Sequence, residues 1–145
     1  MKSSNLQLNV GLFSIGLDTY WPQFPGLRER LAAYTERVAQ KLHACQVQVT
    51  NLGLIDTPEK SLAAGHDLRK ADVDLIFLYV TTYALSSTVL PAVRRAKAPV
   101  INFESRALIG HRLREFQSSW RSRQDDRGVV GVLSGLSSPR NRQRL

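Results

Sequence analysis

Apolar and polar positions over residues 1–104 fall into blocks whose period switches between that of a strand and that of a helix. Leu8–Ile15 is an apolar run with polar interruptions, suited to a first, central strand. From Gly26 to Leu42, one stripe collects Leu27, Leu31, Tyr34, Val38 and Leu42, while Arg28, Glu29, Glu36, Arg37 and Lys41 lie largely outside it. That spacing predicts a helix with one buried face. Val47–Leu52 is short and rich in β-branched residues, as a second strand would be. Thr57, Pro58 and Glu59 then open a second helix, with a threonine suited to capping and a proline at the first helical position, where its missing N–H leaves no bond unmade. Val73–Val80, approached through Asp72 and Asp74, is the most continuously apolar run of the chain, and a strand with so few polar alternations is one buried on both faces. A helix at about Ser86–Lys97 leads through Pro99 to a fourth strand, Val100–Phe103.

Strands alternating with helices in this way define an open α/β fold: a mostly parallel sheet with helices on both faces, a Rossmann-like or flavodoxin-like three-layer sandwich. The strand order stays open at this point. Right-handed crossovers bring the strand ends at Ile15, Asp56, Val80 and Phe103 to a common edge.

Chemistry is expected at that edge. The loop after the first strand, from Ser14 to Pro22, carries the Asp18 carboxylate beside Tyr20 and Trp21. Asp18 can accept hydrogen bonds from the hydroxyls of a polyol, and either aromatic ring can stack on its apolar face. Thr81, Thr82 and Tyr83 add three hydroxyls in succession at the end of the buried strand. Grouped across neighbouring loops, these six residues would form a sugar-facing rim. A plainer assignment stands beside it: Thr81 or Thr82 as local caps, and Trp21 as a lid over the hydrophobic core.

Other chemistries find less support. Gly11, Gly16 and Gly26 are too widely spaced for a dinucleotide fingerprint, and no glycine-rich phosphate loop ending in Lys-Ser/Thr occurs. His43, His66 and His111 lie on different segments without an adjacent cluster of carboxylates or cysteines, so they do not predict a metal site. Glu104, at a strand end, is a single carboxylate. Cys45 is the one cysteine; it can close no intrachain disulfide and reads as a small buried hydrophobe rather than a nucleophile. Its solitude agrees with a reducing, cytoplasmic setting. No apolar stretch approaches the roughly 20 residues of a membrane span, and Met1–Gln7 lacks the regions of a signal peptide.

Charge divides the chain. Residues 1–104 hold eleven Lys or Arg against nine Asp or Glu, whereas residues 105–145 hold nine Arg, no Lys and three acids. Most of the formal +8 therefore belongs to the last segment. The composition predicts one α/β domain over 1–104 and a basic tail over 105–145. Nine arginines with Phe116 and Trp120 can attract nucleic-acid phosphates, but they form no recognised motif, and specific nucleic-acid binding is not expected. A short helix around Arg106–Trp120 could cover the sheet edge beyond the fourth strand.

Three blocks carry a family resemblance: Gly11 to Leu27 (GLFSIGLDTYWPQFPGL), Asn51 to Pro58 (NLGLIDTP), and above all Asp74 to Pro91 (DLIFLYVTTYALSSTVLP). Together they resemble the N-terminal domain of L-arabinose isomerase-like proteins, in the L-arabinose and L-fucose isomerase superfamily, over about residues 8–103. What the resemblance implies is carbohydrate metabolism by an aldose–ketose isomerase that uses Mn2+ or another divalent metal and an enediol intermediate. By the same resemblance, the Asp18-Thr19-Tyr20 loop and the Thr81-Thr82-Tyr83 loop approach an aldose or ketose, the first in the site of a neighbouring subunit of a homo-oligomer. The His-containing form of these two motifs that is usual in the family is absent here, which marks a divergent branch. The family's metal-binding Glu and His residues and its acid–base pair belong to later domains, so the chain is expected to carry no cofactor and no catalytic residue of its own and to be inactive alone. Moving a proton between the two carbons of an enediol needs a placed base and a metal to polarise the neighbouring oxygens.

The tail admits a reading in the genetic code. Gly131–Leu145 can be encoded by codons that, read one nucleotide further on, give Gly-Tyr-Cys-Gln-Ala-Cys-Pro-Val-Pro-Glu-Ile-Ala-Asn-Val-Phe, similar to the segment these isomerases carry after their first domain. Gln124–Gly128 can likewise hide Arg-Met-Thr-Gly in the same frame. The expectation is a frame displacement around residues 103–112, leaving a truncated isomerase-like domain. A gene sequence whose shifted frame fails to continue into isomerase would refute it. The alternative is a non-catalytic sugar-binding or oligomer-assembly module.

Overall fold

Among the described residues the sheet is built from four strands, and what each contributes follows from its pattern of apolar positions. The computed structural model describes residues 7–103 and 113–118. The elements run β1 (Asn9–Ile15), a short 3-10 helix (Asp18–Tyr20), α1 (Leu27–Ala44), β2 (Gln48–Ile55), α2 (Pro58–Lys70), β3 (Leu75–Val80), α3 (Ser86–Ala96) and β4 (Val100–Phe103). All neighbouring strands pair in parallel, in the order β2-β1-β3-β4. The most apolar runs, β1 and β3, thus take the two central places, and β2, with half-buried and exposed positions along most of its length, lies at an edge. This is an open parallel sheet with helices on both faces, the three-layer sandwich that the alternation predicts.

Successive residues of a strand point to opposite faces, and two cores result. Val10, Leu12, Leu75, Phe77, Tyr79, Ile101 and Phe103 pack with Val38, Ala39 and Leu42 of α1. Phe13, Ile15, Ile76 and Leu78 pack on the other face with Ala64 and Leu68 of α2 and with Ala92 and Ala96 of α3. Gly11 falls on this second face by the same alternation, and a Cβ there would run into Leu68 Cδ2.

The helix boundaries have local causes. Thr57 Oγ1 accepts the Lys60 N–H at 3.3 Å, capping α2 ahead of Pro58. Lys97 closes α3 in the left-handed conformation, with φ of 53°. Pro91 stands inside α3, and the N–H of Ala92, one residue on, is donated across to Ser61 Oγ of α2 at 3.1 Å. Gly65 permits that approach: a Cβ there would lie 2.9 Å from the Pro91 carbonyl oxygen and 3.1 Å from the Ala92 Cα.

The second strand extends further than the expected Val47–Leu52. Between Leu12 and Ser14 of β1 the register against β2 slips, so that Leu52 and Gly53 together oppose Phe13. Gly53 takes φ of 71°, and its N–H is donated to Asn51 Oδ1 at 2.9 Å. The bulge lets the strand resume and end at Ile55.

Residues 113–118 are helical, and two of them return to the α1 face of the sheet. Leu113 is 0% exposed and Phe116 2%, within the cluster that holds Phe77 and Phe103. The short helix expected within Arg106–Trp120 is present over these residues, and it packs on a face of the sheet. The remainder of the basic tail, the proposed displacement at 103–112 and the codon matches at 124–128 and 131–145 concern positions outside the described residues, apart from Phe103 at the end of β4.

Candidate functional site

In a parallel sheet every strand ends at the same edge, and here Ile15, Ile55, Val80 and Phe103 are those ends. Chain order reverses between β1 and β3: the connection after β1 goes to β2 on one side, whereas β3 and β4 lie on the other. Ligands of open α/β sheets bind in the crevice outside such a reversal. Two loops border it, one from Gly16 to Gly26 and one from Thr81 to Leu85, and these carry all six residues singled out from the sequence.

The structure separates those residues into two groups. Trp21 and Thr81 are engaged in building the edge. Trp21 lies over Gly16, where a Cβ would come within 2.8 Å of its ring, and its Nε1 donates to Asp56 Oδ2 at 2.8 Å. Thr81 donates its hydroxyl to the Ile15 carbonyl at 2.6 Å, tying the end of β3 to the end of β1. Thr81 is thus a tie between strand ends and not the expected local cap, since α3 starts behind Leu85 without a side-chain cap. Thr82 makes a local bond at 3.2 Å to the Tyr83 carbonyl.

Asp18, Tyr20 and Tyr83 are placed differently. Asp18 opens the 3-10 helix with its side chain exposed, and no side chain or amide among the described residues bonds its carboxylate. Tyr20 meets Phe24 edge to face, with ring centroids 6.0 Å apart. Tyr83 is 65% exposed. Among the described residues this edge thus carries an exposed carboxylate, an exposed phenol and a second phenol steadied by a neighbouring ring.

Asp56 holds this arrangement together, and the sequence marked it only as a strand end. Its side chain is 3% exposed and receives Lys60 Nζ on Oδ1 at 2.6 Å and Trp21 Nε1 on Oδ2 at 2.8 Å, with Arg28 Nε 3.8 Å away. Burial alone would raise its pKa. The hydrogen bond from Lys60, then that from Trp21, then the charges of Lys60 and Arg28 outweigh burial and hold the carboxyl below its ordinary value. One carboxylate thereby fixes the first loop through Trp21 and the starts of α1 and α2 through Arg28 and Lys60. A group with a lowered folded pKa contributes stability above its unfolded value of ~3.9 and loses it as pH falls through the folded value. Asp56→Asn is accordingly expected to unfold more easily than the parent at neutral pH, with the difference vanishing in acid below the carboxylate range. Because Lys60 and Arg28 are half exposed, the loss should be about 1 kcal/mol, under the ~1.5–3 kcal/mol typical of hydrogen bonds to charged groups. Urea unfolding across that pH range measures it, and Trp21 fluorescence reports whether the loop has come loose.

Behind the crevice, Ser14 and Thr35 form a buried hydroxyl pair at 2.6 Å, and Thr35 also donates to the Leu31 carbonyl at 3.0 Å, joining β1 to α1. Among the described residues no three His, Cys, Asp or Glu side chains gather as a metal-holding group. None of the described helices is long and apolar enough to cross a membrane.

No known family model matches the chain, and neither does any curated protein. Among solved structures it is similar to the solution structure of a phosphate-loop protein, at 11% identity and a TM-score of 0.45, over 86% of this chain and 99% of that one. The fold and the crevice together define an open α/β domain with a polar and aromatic rim at its reversal point.

Proposed function

We propose that this chain is a sugar-facing domain of the L-arabinose isomerase type, which contributes a binding rim to aldose–ketose chemistry and does not carry out that chemistry unaided. The observation that carries this reading is the free Asp18 carboxylate on one border of the β1/β3 crevice with the exposed Tyr83 phenol on the other. A carboxylate accepts from paired hydroxyls and an aromatic ring covers a sugar's apolar face, so the two supply the contacts a polyol needs. Supporting it are the sequence blocks that resemble this family, which include both loops. In the complete reaction the divalent metal and the acid–base pair come from elsewhere than this rim.

Titration of L-arabinose and L-fucose into isotope-labelled protein is expected to shift the amide signals of residues 16–20 and 81–85. Asp18→Asn and Tyr83→Ala should each weaken the effect about tenfold, the equivalent of one charged hydrogen bond or one stacking surface. Shifts as large in both variants as in the parent would show that the rim does not hold the sugar. With Mn2+ and aldose added, the chain alone is expected to form no ketose; turnover by the purified chain would overturn the non-catalytic reading.

A second reading has its own support. Phe24 on one bordering loop and Tyr83 and Leu85 on the other are exposed at 53%, 65% and 47%, and apolar groups on a functional edge suit a partner surface. Assembly into an oligomer, with the rim facing a neighbouring subunit, would cover them. Concentration-dependent sedimentation of the parent and of Phe24→Ser distinguishes assembly from sugar contact alone.

A further inference from the structure

At the opposite edge of the sheet, where the strands begin, the chain gathers positive charge. α2 and α3 both run against the strands, so they are parallel neighbours and end side by side. Arg69 and Lys70 occupy the last turn of α2; Arg94 and Arg95 occupy the last turn of α3, with Lys97 at its cap. All five are exposed, and among the described residues none is in an ion pair. Gly65 holds the two ends together, since Arg95 Cβ lies 2.9 Å from where a Cβ of residue 65 would stand. The acids nearby are Asp67 and Asp72, both exposed, and Asp74, whose Oδ2 accepts the Asn9 N–H at 2.9 Å; His66 adds an exposed imidazole on α2. A cation in each last turn complements a helix dipole. Five of them meeting at one pole make a larger feature than two helix ends require.

We propose that this pole binds a nucleic-acid phosphate backbone without reading sequence. Three of the five cations are arginines, whose planar fork engages phosphate oxygens in pairs. Helices packed at about 8–10 Å set the two groups of charge apart by roughly two to three base-pair rises of ~3.4 Å along the duplex axis. The large exposed apolar side chains, Phe24, Leu62, Tyr83, Leu85 and Leu90, lie in the loops of the other edge or in the helix halves nearer to it. Among the described residues the pole therefore offers no apolar wedge for a lipid surface and no aromatic platform for bases, and the recognition proposed rests on charge.

Fluorescence anisotropy with a short mixed-sequence duplex, measured over a range of salt, tests this on the full chain. Binding is expected to weaken linearly in log–log form with salt. Arg69→Gln/Arg94→Gln/Arg95→Gln should bind about tenfold less tightly at low salt, with a slope shallower by about 0.9 for each arginine that meets a phosphate. Duplexes rich in A·T and in G·C should bind alike. Arg140→Gln/Arg142→Gln/Arg144→Gln, which removes equal charge from the tail, should change the slope less than the pole variant does. Unchanged binding in the pole variant, a loss confined to the tail variant, or displacement of the duplex by polyglutamate as readily as by unlabelled DNA would overturn the proposal. Thermal unfolding of the pole variant, expected to match the parent, shows that a loss of binding is not a loss of fold.

Discussion

Replacing Phe116 with alanine is expected to cost ~3–5 kcal/mol of folding stability, the range for deleting a buried phenylalanine. The ring is 2% exposed, in one cluster with Phe77, Tyr79 and Phe103 of the sheet and with Val38 and Leu42 of α1. For a domain whose whole stability is on the order of 5–15 kcal/mol, that is a large fraction. Urea unfolding of the variant measures it, with Phe77→Ala as an internal reference because its ring belongs to the same cluster. If Phe77→Ala is strongly destabilised while Phe116→Ala shifts by less than about 0.5 kcal/mol, residues 113–118 do not pack on the sheet in solution. The result matters beyond stability. Phe116 lies in the arginine-rich stretch, and a large effect means that the folded unit reaches past the point where composition changes.

Gly65→Val is the second large effect. Its side chain would begin 2.9 Å from the Pro91 carbonyl oxygen, a backbone atom that moves only if α3 moves. Overpacking of this kind costs ~1–3 kcal/mol. Parting the helices would also break the Ser61 bond to the Ala92 amide, leaving a buried donor unpaired at ~1–3 kcal/mol. Ser61→Ala isolates the second contribution: it should be clearly milder than Gly65→Val, and equal losses in the two variants would mean that the valine is absorbed without separating the helices. Differential scanning calorimetry of both gives the comparison.

The sequence made the sheet legible because its central strands bury both faces. Val73–Val80 could be nothing but an inner strand, and β3 occupies Leu75–Val80 between β1 and β4. β4 falls at the expected Val100–Phe103. The helices announced themselves by stripe and cap: α1 runs Leu27–Ala44 and α2 begins at Pro58 behind Thr57. Strand two was legible only to its bulge, since Gly53 ends the β-branched run, and whether the ladder resumes depends on the neighbouring strand. For the candidate site, residue type pointed to the right edge but did not divide the work among residues. Trp21 and Thr81 look like ligand contacts in a string of hydroxyls and rings; only the fold brings Asp56 to the indole and the Ile15 carbonyl to the threonine. Asp56 itself passed for an ordinary strand end because Trp21 and Arg28 stand 35 and 28 residues from it in the chain.

The slip between β1 and β2 bears on how the chain behaves in company. An edge strand exposes unpaired amides and carbonyls, and a long flat one is a template for pairing with another molecule. β2 spans eight residues, long enough to serve as such a template. The left-handed Gly53 and the Asn51 side chain on its amide bend the strand near its middle, so an incoming strand in register with Gln48–Asn51 would lose register before Ile55. The other outer strand among the described residues, β4, spans Val100–Phe103. The β2 margin of the sheet is therefore a poor template for unlimited strand addition, through its irregularity.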